Sequence, residues 1–225
     1  VTKEGKIVSQ MKKTNYSYIG ISFIILLFGI YSVPKIVKHF QKGDLHKFTK
    51  VPSFEYINQD GKTITNKDYK GKVYVVEFFF TTCPTICPIM NRKMVTIQNE
   101  FLGNPNFGIA SFSITPHVDT PQVLSEYAKN HNINHKNWHL LTGKTAEEVY
   151  NFSNNGFKLP SGEGDTDHGG FYHSGSFALV DKNGYIRSRY DEHGNAIFVY
   201  RALEEEGLKD QIHELKEDIK LLLNE

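Results

Sequence analysis

The run KVYVVEFFF, residues 72–80, constrains the fold of this chain more than any other feature. β-Branched and aromatic side chains fill it too continuously for a half-exposed strand, which fits a strand buried on both faces at the centre of a sheet. It passes directly into TTCPTICP, which holds both cysteines of the 225-residue chain, Cys83 and Cys87. MNRKMVTIQNEFL follows with helical spacing. The thiols therefore stand at a strand-to-helix junction, where unpaired backbone N–H groups favour thiolate over thiol. Pro84 and Pro88 lack an N–H and suit the entry to a helix. Three residues separate the cysteines, whereas an ordinary thiol–disulfide oxidoreductase has two. That spacing admits a disulfide, a redox pair, or a metal held between two sulfurs.

Strands and helices alternate around this junction. FEYI and KTIT flank Asn58-Gln59-Asp60-Gly61, a hairpin signal. FGIASFSI (107–114) is a second buried strand. Thr120 serves as N-cap and Pro121 as first helical residue for QVLSEYAKNH. NWHLL (137–141) reads as a short strand, and Thr145 with Glu148 makes a capping box for AEEVYNFS. Residues 155–172 form a glycine-rich loop, and SFALV and GYIRSRY are joined through Asp181-Lys182-Asn183-Gly184 as a second hairpin. Leu203, Leu208, Ile212, Leu215, Ile219 and Leu222 then recur at helical spacing, which predicts a core-facing surface helix. The order is hairpin, strand–helix–strand–helix–strand–helix, hairpin, helix. With a cysteine motif closing a central strand, this is a thioredoxin-like α/β organisation: a central mixed sheet flanked by helices, with an N-terminal β-hairpin.

A second constraint lies upstream. Residues 14–34, TNYSYIGISFIILLFGIYSVP, carry no charge over 21 positions, and a helix of that length spans roughly 30 Å, the hydrocarbon core of a bilayer. Tyr16, Tyr18 and Tyr31 sit near its ends, where aromatic rings suit the interface. Lys3, Lys6, Lys12 and Lys13 precede it, so the positive-inside rule puts the N-terminus in the cytoplasm. No A-x-A-like cleavage site follows, which predicts an uncleaved single-pass anchor rather than a signal peptide. The expected organisation is a cytoplasmic tail (1–13), a transmembrane helix (14–34), a polar, basic juxtamembrane linker (35–50) and a globular domain (51–225). A formal net charge of +1 supplies no basic field for nucleic acid. Outside the membrane the surroundings are oxidising, so a thiol pair there needs a reductant or a bound metal to stay reduced.

Two thiolates under-coordinate most metals, so a third ligand is sought among ten histidines. His39 and His46 lie in the linker, His213 lies on the C-terminal helix, and His131, His135 and His139 surround a junction distant in chain order. His173 stands just before SFALV, and in a thioredoxin-like fold the loop entering that strand packs against the cysteine turn. His168, in the glycine-rich loop, competes for the role. Two soft thiolates and one imidazole suit copper, as Cu(I) or Cu(II). Structural zinc would want a fourth ligand, which His168 or Asp167 could supply.

TTCPTICP, DTPQVLSEYA and HSGSFALVDKNG, in that order, resemble the Sco/SenC family of membrane-anchored, thioredoxin-like copper proteins over about residues 50–222. The resemblance implies that Cys83, Cys87 and His173 are the copper ligands, aligned through Gly184, eleven residues after the histidine. Two positions depart from the family: Tyr172 replaces the usual Asp before the histidine, and Thr115 the usual Asp before Pro116. The implied function is copper delivery to the binuclear centre of the copper-bearing subunit of cytochrome c oxidase. The domain would work at the periplasmic face of a bacterial inner membrane, and the glycine-rich loop would let His173 swing in and out. The alternative is a thiol–disulfide reductase that keeps the oxidase's copper-site cysteines reduced, with Cys83 and Cys87 as its catalytic pair and a thiol reductant behind it. A peroxidase of the same fold would want Thr or Ser three residues before its cysteine, and Phe80 stands there instead. A purely structural disulfide over so short a loop would constrain the unfolded chain little.

Overall fold

The computed structural model describes residues 17–41, 45–165, 169–204 and 207–225, with side chains of the first segment described over 20–33. The chain divides into two units, Val1–Gly43 and Asp44–Glu225. In the first, helix α1 runs over Ser17–Gln41. Ile24, Ile25, Leu26 and Leu27 are each at least half exposed, and four consecutive residues point almost all the way round a helix. Among the described residues no helix is long and apolar enough to cross a membrane. The spanning helix expected over 14–34 is therefore not shown, and its residues 14–16 lie outside the described ones. The stretch 35–50, expected as linker, is helical to Gln41 and forms strand β1 over His46–Lys50.

The second unit is built on β4 (Val73–Phe79) and β5 (Phe107–Ser113), in which every residue is buried. They pair in parallel without a break from Val73 opposite Phe107 to Phe79 opposite Ser113. Parallel neighbours need a crossover, and α2 (Cys87–Glu100) supplies it. A second crossover, α3 (Pro121–Asn130), leads to the parallel strand β6 (Trp138–Thr142). Beyond β6 lies the hairpin β2 (Glu55–Asn58) and β3 (Thr63–Thr65). On the other side, β9 (Ser176–Val180) is antiparallel to β4, followed by β10 (Tyr185–Ser188) and β1. The strand order is β1-β10-β9-β4-β5-β6-β2-β3, with β11 (Tyr200–Arg201) also on β9. This is the thioredoxin-like mixed sheet that the pattern of elements predicts.

Side-chain alternation along β4 separates the two faces. Phe78 packs against Phe112, Phe152 and Phe157. The last two belong to a π-helical turn, Phe152–Phe157, that continues α4 (Ala146–Asn151). Phe79 meets Tyr127 of α3 instead, so Glu77 looks toward the α3 side as well. The caps are those expected: Thr120 Oγ1 accepts from Val123 N and Thr145 Oγ1 from Glu148 N.

Two expectations need correction. Helix α5 covers Ile212–Asn224, so Leu203 and Leu208 precede the stripe, and Leu208 is exposed. Asp218 lies on the buried face among the leucines because Arg189 and the Tyr200 hydroxyl donate to it. The glycine-rich stretch 155–172 is not all loop. It holds β7 (Ser161–Glu163) and β8 (Phe171–His173), an antiparallel pair that ends on the histidine.

Candidate metal centre

Strand β4 stops at Phe79, and the chain turns through residues 80–86 before α2 opens at Cys87, with proline in its first turn. The turn is closed by Cys83 N–H donating to the Phe80 carbonyl at 3.3 Å. The first N–H of the helix, that of Cys87, points at Cys83 Sγ from 3.5 Å, and Thr85 Oγ1 lies 3.7 Å from the same sulfur. This is how a strand-to-helix junction aims backbone donors at a thiolate.

His173 arrives from the opposite direction, at the end of β8, with its ring edge-on to Phe80 at 5.8 Å. Its Nδ1 is 3.2 Å from the Ser174 carbonyl and its Nε2 is 2.7 Å from Cys87 Sγ. A carbonyl can only accept, so Nδ1 donates to it, and Nε2 is the nitrogen turned to the Cys87 sulfur. Cys83, Cys87 and His173 are all buried, and their donor atoms lie within 4.8 Å of one another. Metal–sulfur bonds of about 2.3 Å would separate two donors by about 3.8 Å in a tetrahedral site and about 4.6 Å in a linear one. The 2.7 Å from Cys87 Sγ to His173 Nε2 is shorter than such a separation. The donors thus fit a soft ion by their chemistry, and the imidazole would have to draw back by about 1 Å to admit it. A backbone-tethered Nδ1 is what orients a ligating imidazole.

The two thiols are free and unequal. The hydrogen bond from Cys87 draws the Cys83 thiol far below its ordinary value against the opposing effect of burial, helped by His173 and by the N–H groups of Cys87 and Thr85. Burial, and then the neighbouring Cys83, pushes Cys87 up. The two sulfurs thus titrate as one coupled pair rather than as two independent thiols.

Other described histidines have partners elsewhere. Burial keeps His135 and His139 below their ordinary range, and they contact the Phe101 carbonyl and Asn58. His131 stacks on Tyr127 at 3.8 Å, His46 meets the Tyr190 hydroxyl, and His213 lies beside Glu217. The competing ligands His168 and Asp167 lie outside the described residues. Of the two departures, Tyr172 is half exposed and Thr115 is buried, donating its hydroxyl to Asp119.

Two carboxyls in this region went unread in the sequence. Glu77 is 4% exposed in the middle of β4. It accepts from Ser111 Oγ at 2.7 Å, and Ser111 in turn accepts from Trp138 Nε1. Burial pushes its pKa up to about 7, and it lines one crevice with Cys87, Met90, Asn91 and Tyr127. Its signal was a single acid inside an apolar run. Asp119 was visible only as the residue before a helix cap, yet it is wholly buried beside the cysteine turn.

Residues 43–206 match the SCO1/SenC family model. The chain is 36% identical over 146 residues to the SCO1 protein homolog of Bacillus subtilis, covering 63% of this chain and 73% of that protein. The structure of BsSco, a member of the Sco family of cytochrome c oxidase assembly proteins, superposes with a TM-score of 0.64 at 28% identity, covering 80% of this chain and 96% of that one. Bradyrhizobium japonicum ScoI, solved with copper bound, shares the fold at a TM-score of 0.59 and 19% identity, covering 78% and 100%.

Proposed function

The chain belongs to the SCO1/SenC family, and from that membership we propose that it is a copper-binding assembly factor for cytochrome c oxidase, holding its cargo with Cys83, Cys87 and His173. The observation that carries this reading is the convergence of two sulfurs and one imidazole nitrogen within 4.8 Å. BsSco belongs to a family of oxidase assembly proteins, and ScoI holds copper on the same fold. The chemistry agrees. Sulfur donors suit Cu(I), and an imidazole helps to hold Cu(II). Both sulfurs would bind as thiolates, giving up their protons as the cation enters, and His173 would bind through Nε2.

The same proposal keeps residues 14–34 as a membrane anchor, with the domain on the periplasmic side and the copper-bearing oxidase subunit as recipient. Supporting it are the apolar side chains that face outward all round α1 and the flanking lysines and tyrosines. A thiol reductant would keep the cysteines open to cargo.

Anaerobic copper titration of the reduced protein tests the assignment. The wild type is expected to bind one copper ion tightly, and the Cu(II) form to show thiolate charge-transfer absorption. A Cys87→Ala protein that retains copper with unchanged affinity would remove the basis of the proposal.

A second reading, thiol–disulfide reductase, draws on the unequal thiols. The Cys83 thiolate would attack a target disulfide and expel one thiolate. Cys87, losing its proton, would then displace the second, leaving the Cys83–Cys87 disulfide. The two readings share sulfurs and differ in their need for His173.

A further inference from the structure

The motif Asp119-Thr120-Pro121 has two functions in the structure, and only one of them is to start a helix. Thr120 caps α3, whereas Asp119 turns inward and is wholly buried. Its Oδ2 accepts from Ser113 Oγ at 2.5 Å, Thr115 Oγ1 at 3.0 Å and the Thr81 backbone N–H at 3.2 Å. Its Oδ1 accepts from the Thr81 hydroxyl. A carboxyl taken out of water needs donors such as these to replace the lost water. The donors come from separate places: the end of β5, the loop after it, and the first part of the cysteine turn. Asp119 thus ties the exits of two adjacent parallel strands together, alongside the bond from Ile114 N–H to the Phe79 carbonyl.

Thr81 is held at both its N–H and its hydroxyl, and Cys83 is two residues further on. We propose that Asp119 is a positioning residue for the thiol–imidazole centre: by gripping Thr81 it fixes the direction in which the chain enters the turn, and so places Cys83 Sγ against the Cys87 N–H and within reach of His173. The copper part of this inference rests on the function proposed above; the thiol part does not. Thr115 completes the arrangement. Where the family usually has a second carboxyl, a neutral hydroxyl donates to Asp119.

The test compares Asp119→Ala, Asp119→Asn and Thr81→Val in the full chain, with two readouts that a stabilising role alone would not move. On the Cu(II)-loaded protein, Asp119→Ala is expected to shift the thiolate charge-transfer band and weaken copper binding about 10- to 100-fold. On the metal-free protein, exchange with glutathione is expected to move toward the Cys83–Cys87 disulfide by about tenfold, roughly 30 mV, because Cys83 loses the N–H that favours its reduced thiolate. Asp119→Asn keeps an oxygen for the Thr81 N–H and should fall between Asp119→Ala and wild type. Thr81→Val removes the hydroxyl bond alone and should shift both readouts in the same sense by less. If Asp119→Ala does not fold, the other two variants carry the test. Variants that lose thermal stability yet keep the wild-type band and the wild-type glutathione equilibrium overturn the proposal. If the wild type binds no copper, the family-based function fails by itself, and the glutathione equilibrium still decides the role of Asp119.

Discussion

The two halves of the centre are built to different standards. The sulfur half is clamped at Thr81 by a buried carboxylate and continues into a 14-residue helix whose first N–H meets Cys83. The nitrogen half ends a two-stranded sheet of three residues a side, with Gly169 and Gly170 at φ +83° and +81° leading into β8. Local opening is easiest where few buried contacts and few ladder bonds must break. In the proposed carrier role that asymmetry would let the sulfurs stay in place while the imidazole leaves first.

Removing His173 should divide the two halves most sharply. Replacing a partner that merely orients a metal ligand costs 10- to 100-fold in affinity, so His173→Ala, which deletes a proposed ligand, should weaken copper binding by more than about 100-fold. Thiol exchange should survive it. The first cause of the low Cys83 pKa is the Cys87 hydrogen bond, with His173 in a smaller role. Stopped-flow reduction of a small disulfide beside a competitive copper titration reads both quantities. Equal losses in the two assays would mean that imidazole and thiols form one unit.

A smaller effect concerns what lies beneath the sulfur half. Glu77, ordinarily near 4.5, is raised to about 7 by burial. An acid raised in the folded state binds its proton more tightly there than when unfolded. Its contribution to stability is therefore full below about pH 4.5 and is lost as pH rises through 7. Glu77→Gln removes this titration and keeps the shape. At about 1.4 kcal/mol per unit, the variant should gain about 2–3 kcal/mol on wild type between pH 4 and pH 8. Urea unfolding at the two pH values measures it, and parallel stability profiles for the two proteins would show that Glu77 does not titrate in this range.

Features whose physics is local were readable in advance. The strand 73–79 announces itself because burial on both faces leaves no room for alternation. Thr120 and Thr145 cap helices because the bond spans three residues. His173 could be placed because topology returns the strand after it to β4. The features that escaped depend on partners far along the chain. Glu77 makes sense only beside Ser111, 34 positions away, and Asp119 only beside Thr81, 38 away. Strand β1 is a charged edge strand, HKFTK, paired among the described strands to β10 alone, and lysines on an edge look like linker. The strands β7 and β8 are too short and too glycine-rich to show a period, and tertiary pairing alone makes them strands. Leu203 and Leu208 fit a helical spacing that the chain has not yet begun to follow.

The two glycines leading into β8 give the finest cut of the comparison. Both have positive φ, where an added Cβ costs about 1–2 kcal/mol. Their surroundings differ. A Cβ on Gly170 would meet open space, whereas one on Gly169 would come within 3.2 Å of the Phe80 ring and 3.4 Å of Pro84 Cδ, both in the cysteine turn. Phe80 is also the ring that stands edge-on to His173. Gly170→Ala should therefore cost about 1 kcal/mol of stability and leave the Cu(II)–thiolate band where it is. Gly169→Ala should cost more and move the band, because Phe80 must give way and the imidazole rests on it. Urea unfolding and the absorption spectrum of each loaded variant separate these outcomes. A band displaced as far by Gly170→Ala as by Gly169→Ala would mean that strain in the hairpin reaches the sulfurs without passing through Phe80, and the nitrogen half could not then be the one that yields by itself.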